Sequence, residues 1–232
     1  MTPTPRQLVL DLAARPALGR SDFFVSPANA LALAQVDTWP AWPGRRLAVA
    51  GPEGSGKTHL AHVWAARSGA RLIGAEELPG LDLAAVPDDA AFAVEDADGL
   101  FGAAAEETLF HLCNRLALRG SLLVTGREPP ARWPLRLPDL ASRLAVAPVA
   151  RLDLPDDDLL AAVLAKLFAD RQLIVGADVV RYLALRIDRA LPAAERVVAA
   201  IDCAGLAERR PVSLRLAGEV LAAGGDAMAA SE

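Results

Sequence analysis

The chain has 232 residues, of which 53% are hydrophobic and 23% charged, and its formal net charge is -5 at pH 7. That composition suits one large folded domain or two small ones; it excludes a disordered chain and a non-specific nucleic-acid coat, whose affinity comes from a basic surface. The longest charge-free run, residues 23–36, is too short to cross a bilayer, Arg6, Asp11 and Arg15 break any signal-peptide core, and Cys113 and Cys203 are too few for a disulfide framework or zinc site, so a cytoplasmic, thiol-state protein without a membrane partner is expected.

Residues 1–22 read as an N-terminal extension, because Pro3, Pro5 and Pro16 oppose a regular helix. Within it, Gln7, Leu8, Leu10 and Leu12 alternate as an edge strand would, or as an extended peptide seating alternate leucines in pockets. Residues 27–38 are predicted helical, with Leu31, Ala34 and Val36 as apolar positions. Residues 39–44 are a Pro/Gly breaker cluster. Short buried strands are predicted at 46–50, 91–94 and 121–125. Helices are predicted at 58–67 (Leu60, Val63, Trp64) and 106–119 (Leu109, Leu112, Leu116). Such alternation implies a parallel α/β sheet. From Leu152 the pattern turns helical throughout, with Asp156 and Ser213 as helix caps and a Gly/Ala-rich tail after Ala222 expected to fray. The expected organisation is an extension (1–22), an α/β nucleotide-binding domain (23–151) and a helical domain (152–232).

Gly51-Pro52-Glu53-Gly54-Ser55-Gly56-Lys57-Thr58 matches G-x-x-x-x-G-K-[ST] between a predicted strand and a predicted helix. Glycines let backbone N–H groups wrap phosphates, and the helix N-terminus favours an anion. Lys57 would reach the β- and γ-phosphates, and Thr58 would offer a hydroxyl to Mg²⁺. Only two of the 24 cationic residues are lysines, Lys57 and Lys166, so a lysine at this position stands out. The bland alternative is a glycine-rich turn with a surface lysine. At the end of the second predicted strand, Glu95 is a candidate Mg²⁺ ligand and Asp96 a candidate water-positioning base. The more usual order is Asp first, so fast hydrolysis is not expected. The histidines His62 and His111 read as structural, Cys113 as buried, and Trp39, Trp42, Trp64 and Trp133 are scattered, with no stacking platform for single strands.

The phosphate loop, the acidic strand end, the polar strand end Thr125-Gly-Arg-Glu-Pro-Pro130, the segment Leu137-Pro-Asp-Leu-Ala-Ser-Arg143-Leu144 and the helical region after it follow one another in an order that resembles the AAA+ ATPases of the bacterial replication initiator DnaA family. Within that family the pattern looks most like the regulatory-inactivator branch. The resemblance implies an AAA+ P-loop NTPase base with a small C-terminal all-helical lid. It implies bound ADP or ATP with Mg²⁺, contacted by the loop, His59, Phe24, Val25, Asn29 and Thr125. It makes Arg143 an arginine finger acting in trans on DnaA, and Gln7, Leu8, Leu10 and Leu12 a docking peptide for the DNA polymerase III β sliding clamp. DNA would be engaged indirectly through the clamp, and a homo-oligomer is compatible. The initiator's N-terminal assembly domain and C-terminal DNA-binding domain are expected to be missing. The family's sensor arginine falls at Pro192, flanked by Arg189 and Arg196, and Arg127 stands where an acidic sensor is common; both departures imply a weak ATPase. Residues alone leave open an ordinary P-loop enzyme, such as a small-molecule kinase or a self-sufficient ATPase that loads another replication factor, or an adaptor, and Arg143 as a surface arginine paired with Asp139 or Asp153.

Overall fold

The computed structural model describes residues 23–99 and 102–229. The chain divides into two compact units that meet between Leu154 and Pro155.

The first unit is built on a five-stranded, all-parallel sheet of order β2-β3-β4-β1-β5, comprising β1 (Arg46–Ala50), β2 (Arg71–Gly74), β3 (Ala91–Glu95), β4 (Ser121–Gly126) and β5 (Val149–Arg151). The central strands are continuous apolar runs because both faces are covered. Leu47, Val49, Ala93 and Leu123 join one core with the helices α1 (Ala30–Asp37) and α2 (Lys57–Ser68). Ala48, Phe92, Val94, Leu122 and Val124 point the other way, into a core with α3 (Ala103–Leu116) and α4 (Pro138–Ala145). The period-2 alternation of strand side chains thus divides one sheet between two hydrophobic layers.

β2 and β5 escape the sequence pattern for a physical reason. Both lie at sheet edges, and each fully buries a single residue, Ile73 and Ala150 respectively. Too few apolar residues are needed there to leave a recognisable run. α4 also goes unread as a helix, although Pro138 sits in its first turn where proline is favourable. α1 forms, but its inward residues are Ala32, Leu33 and Val36; Leu31 is 80% exposed and Ala34 also faces out. With so short a helix and so many alanines, the choice of face falls to contacts with the sheet.

Three of the four tryptophans, scattered in sequence, converge. Trp64 packs against Trp42 at 5.0 Å and against Trp39 at 6.4 Å between ring centroids, and Trp39 Nε1 donates to Ser121 Oγ at 3.0 Å. The cluster belongs to the core, with Trp42 and Trp64 buried and Trp39 packed against them.

The second unit holds α5 (Asp157–Asp170), α6 (Ala177–Ala184), α7 (Leu191–Glu208) and α8 (Leu214–Ala229), around a core that includes Leu160, Leu164, Phe168, Leu183, Val198, Ile201 and Leu216. Asp156 Oδ1 accepts from Leu159 N at 2.7 Å, and Ser213 Oγ accepts from Leu216 N at 3.3 Å, so both expected caps are in place. α8 runs past Ala222, since its alanine content favours helix despite the glycines.

Candidate functional site

β1 ends at Ala50, and residues 51–56 turn the chain into α2 at the carboxyl ends of the parallel strands, where open α/β sheets place their ligands. Two glycines make the turn possible: Gly54 and Gly56 adopt φ of +75° and +97°. Gly51 is required by proximity instead. A Cβ there would lie 2.5 Å from the Leu152 carbonyl oxygen. Lys57 heads α2 and is buried, and its Nζ donates to the carbonyls of Gly51 at 2.9 Å and Pro52 at 3.0 Å. Burial lowers the pKa of the ammonium, while the nearby Asp96 and Asp98 carboxylates act in the opposite sense.

The loop and the end of β3 carry polar groups that the described residues do not satisfy. Ser55 Oγ and Glu95 Oε1 are buried without a hydrogen-bond partner among the described residues. Thr58 faces outward from the first turn of α2. Among the described residues, no three His, Cys, Asp or Glu side chains gather on one metal position. Mg²⁺ bound with a nucleotide takes much of its coordination from phosphate oxygens and water and only one or two ligands from protein. Thr58 and Glu95 offer oxygen donors of the type that Mg²⁺ takes from protein, and Glu95 Oε1 is the one left unpartnered.

Strand ends are laced together around this loop. Thr125 Oγ1 accepts from Asp96 N at 2.9 Å, so Thr125 fixes the acidic pair and does not face outward as a free hydroxyl. Asp96 itself is exposed and adopts φ +49°, a left-handed conformation that Asp tolerates. Asp98 Oδ2 accepts from Arg127 N at 2.7 Å, and Arg127 Nη2 pairs with Glu53 Oε2 at 3.0 Å. This Glu53–Arg127 pair has no counterpart in sequence spacing.

The residues expected around a base are distributed unevenly. Asn29 Oδ1 accepts from Ser26 N at 2.9 Å and its Nδ2 donates to the Phe24 carbonyl at 2.8 Å, so both ends of the amide clasp their own loop. Phe24 and Val25 are exposed at 37% and 55%. Phe23, not singled out from sequence, is the buried one, and its ring meets His59 edge-on at 5.1 Å.

Arg143 lies on α4, remote in sequence from the loop. Its guanidinium sits over the Phe110 ring of α3, 5.2 Å from the centroid. Its backbone carbonyl accepts from Arg46 Nη1 at 3.2 Å. Among the described residues it has no carboxylate at ion-pair distance, so neither Asp139 nor Asp153 neutralises it. The start of α4 is fixed by Glu106, a buried residue of α3 whose Oε2 accepts from Arg136 N at 2.9 Å and from Leu137 N at 2.7 Å. Sequence reasoning passed over Glu106, because a carboxylate near a helix start reads as an ordinary favourable charge. Gln7, Leu8, Leu10 and Leu12 lie outside the described residues. Arg189 is engaged within the helical unit by Asp157 Oδ1 at 2.7 Å, whereas Arg196 on α7 is exposed.

No protein-family model matches the sequence. The fold, however, is similar to solved structures. Domain III of the Thermotoga maritima replication initiation protein DnaA superposes with a TM-score of 0.76 at 20% identity, over 89% of this chain and 96% of that one. A replication initiator DnaA bound to AMPPCP and single-stranded DNA gives 0.65 at 18%, over 82% of this chain and 66% of the other. A Thermotoga maritima RuvB variant gives 0.66 at 17%, over 83% and 66%. The fold, a parallel α/β unit and a helical unit after it in the chain, is thus shared with DnaA domain III and RuvB alike. Among the described residues, no helix is long and apolar enough to cross a membrane.

Proposed function

We propose that this chain is a nucleotide-bound AAA+ regulator of replication initiation that inactivates DnaA, in the manner of Hda. In this reading the phosphate loop holds ADP and Mg²⁺, with Lys57 against the phosphates and Thr58 and Glu95 on the metal. Bound Mg²⁺ supplies charge neutralisation across the phosphate oxygens. The Glu95-Asp96 order and the proline at position 192 leave intrinsic hydrolysis slow, so the nucleotide is chiefly structural. Gln7 to Leu12 dock on the sliding clamp, and DNA enters only through the clamp. The tether raises the effective concentration of this chain beside DnaA, so a weak direct contact suffices.

The observation that carries the proposal is the state of Arg143. A guanidinium half-buried on an aromatic face, with its helix held at both ends and no carboxylate among the described residues to neutralise it, is an uncompensated cation in a defined position. Delivered to the γ-phosphate of ATP on DnaA, it stabilises the charge that develops there, and arginine fingers of this kind accelerate hydrolysis by about 10³–10⁵. The AMPPCP-bound DnaA among its structural neighbours supports the nucleotide half of the reading.

The deciding measurement is phosphate release from ATP-loaded DnaA in the presence of DNA-loaded clamp. The wild-type chain with ADP should stimulate it, Arg143→Ala should not, and Gln7→Ala should weaken the clamp dependence. Stimulation that survives Arg143→Ala would move the catalytic arginine elsewhere. No stimulation by the wild type would turn the assignment toward a loader or an adaptor.

A further inference from the structure

The phosphate loop carries a charge of the wrong sign for its ligand. Glu53 lies between Pro52 and Gly54, and a carboxylate there repels a polyphosphate unless a cation offsets it. Arg127 is that cation, with Nη2 3.0 Å from Glu53 Oε2. Its backbone is anchored. The Arg127 N–H donates to Asp98 Oδ2 at 2.7 Å, and the carbonyl of the preceding Gly126 accepts from Gly51 N, the first residue of the loop, at 3.2 Å. Only the side chain is lightly held, because the two partners are 69% and 81% exposed, and exposed pairs of this kind exchange readily. Glu53 is itself a loop residue four positions before Lys57, and Arg127 and Glu53 both act on the Lys57 charge.

We propose that Arg127 is a second cation of the phosphate site, one that leaves Glu53 for the terminal phosphate of a nucleoside triphosphate. Glu53 and that phosphate then compete for a single guanidinium, and the competition sets the preference between triphosphate and diphosphate. A terminal phosphate carries more charge than a carboxylate and accepts the guanidinium fork with two parallel hydrogen bonds. A diphosphate lacks that group and leaves the Glu53–Arg127 pair closed. The site so built has two arrangements, closed with diphosphate and open with triphosphate, which differ by the torsions of one side chain on a fixed backbone. The inference rests on the reading that the loop binds a nucleotide.

The test is titration of the full chain, with Mg²⁺, against fluorescent ADP and against AMPPCP in competition with it, for wild type, Arg127→Ala, Glu53→Gln and the double variant. Circular dichroism verifies folding, which two exposed side chains should not disturb. Arg127→Ala should weaken AMPPCP by about ten-fold or more, the scale of one charge-assisted hydrogen bond, and ADP by much less. Glu53→Gln should tighten AMPPCP, and the cost of Arg127→Ala should persist in the Glu53→Gln background. Equal losses for the two nucleotides, or disappearance of the cost in that background, would reduce Arg127 to a neutraliser of Glu53 and overturn the proposal. A folded wild type that binds neither nucleotide would overturn the nucleotide reading itself, and this inference with it.

Discussion

The phosphate loop and the α3–α4 pair each present a cation, and they hold it by opposite means. Lys57 is buried at the head of its helix and bridges two carbonyls of its own loop, all within seven residues of chain. Arg143 is half-buried, supported by the face of Phe110, by Arg46 from β1 at its carbonyl and by Glu106 at the start of its helix, residues 33, 97 and 37 positions away by sequence number. A local device keeps its geometry as long as the turn itself survives. A device assembled from distant elements depends on the packing of the whole face, and so the two should fail differently.

The largest expected effect is on the local device. Lys57→Ala removes charge-assisted contacts to phosphate and should weaken nucleotide binding by at least about 100-fold. The melting temperature without nucleotide should fall modestly, because the buried Gly51 carbonyl loses the Lys57 donor while Pro52 is exposed to water. Retained affinity in a folded Lys57→Ala protein would remove the loop from consideration as a nucleotide site.

Next comes the distributed device. Glu106→Ala strips two backbone N–H groups, those of Arg136 and Leu137, of a buried acceptor. The expected loss is about 2–4 kcal/mol, read as a lower urea midpoint. Glu106→Gln should lose less, since an amide oxygen still accepts. Nucleotide affinity should hold in Glu106→Gln while stimulation of DnaA falls. If both fall together, the two cations are not independently supported.

The same contrast decides what could be read in advance. The loop is legible because its chemistry is spelled by consecutive residues, and so the three central strands, α2 and the Asp156 cap are legible too. β2 and β5 are not, since an edge strand that buries one residue leaves no periodic trace. The face of α1 is not, since alanines on either side weigh nearly the same. Arg143 is legible only through resemblance: nothing in its spacing brings Phe110 beneath it or sets Glu106 against its helix. The Glu53–Arg127 pair joins residues 74 apart, and no pattern in either segment announces the other.

A titration can sharpen the comparison from beneath Arg143. Cys113 on α3 is buried, and burial pushes its thiol up from 9.0 to about 11, against the opposing pull of the Arg46 and Arg143 charges. The folded pKa lies above the unfolded one. The stabilisation is therefore complete below pH 9.0 and is lost as pH rises toward about 11. Over that window the unfolded state ionises first, and the loss amounts to about 2–3 kcal/mol. The check is the urea midpoint from pH 8 to 11 in wild type and in Cys113→Ala, where the steepening between 9.0 and about 11 should be absent. In the native state at neutral pH a thiol reagent should label the exposed Cys203 and spare Cys113, and labelling of Cys113 in Glu106→Ala would report loosening of the α3–α4 face.

The smallest effect belongs to the helical unit and separates two arginines that sequence leaves equivalent. Pro192 occupies the position where the resemblance places a sensor arginine, with Arg189 and Arg196 to either side. Arg189 is committed to Asp157, in the first turn of α5, at 2.7 Å, and both side chains are about half exposed. Its removal should cost less than about 1 kcal/mol of stability, and less still at high salt. A guanidinium already paired within its own unit must first give up that partner before it can reach a phosphate. Arg196 is exposed, and no hydrogen bond or ion pair joins its side chain to any described residue. If either arginine substitutes for the sensor, Arg196→Ala should therefore weaken AMPPCP by roughly two- to threefold while Arg189→Ala leaves it unchanged, the scale of an exposed charge acting on an anion. The opposite ranking would mean that nucleotide displaces Asp157. Equal, unchanged affinities would mean that neither arginine serves as the sensor.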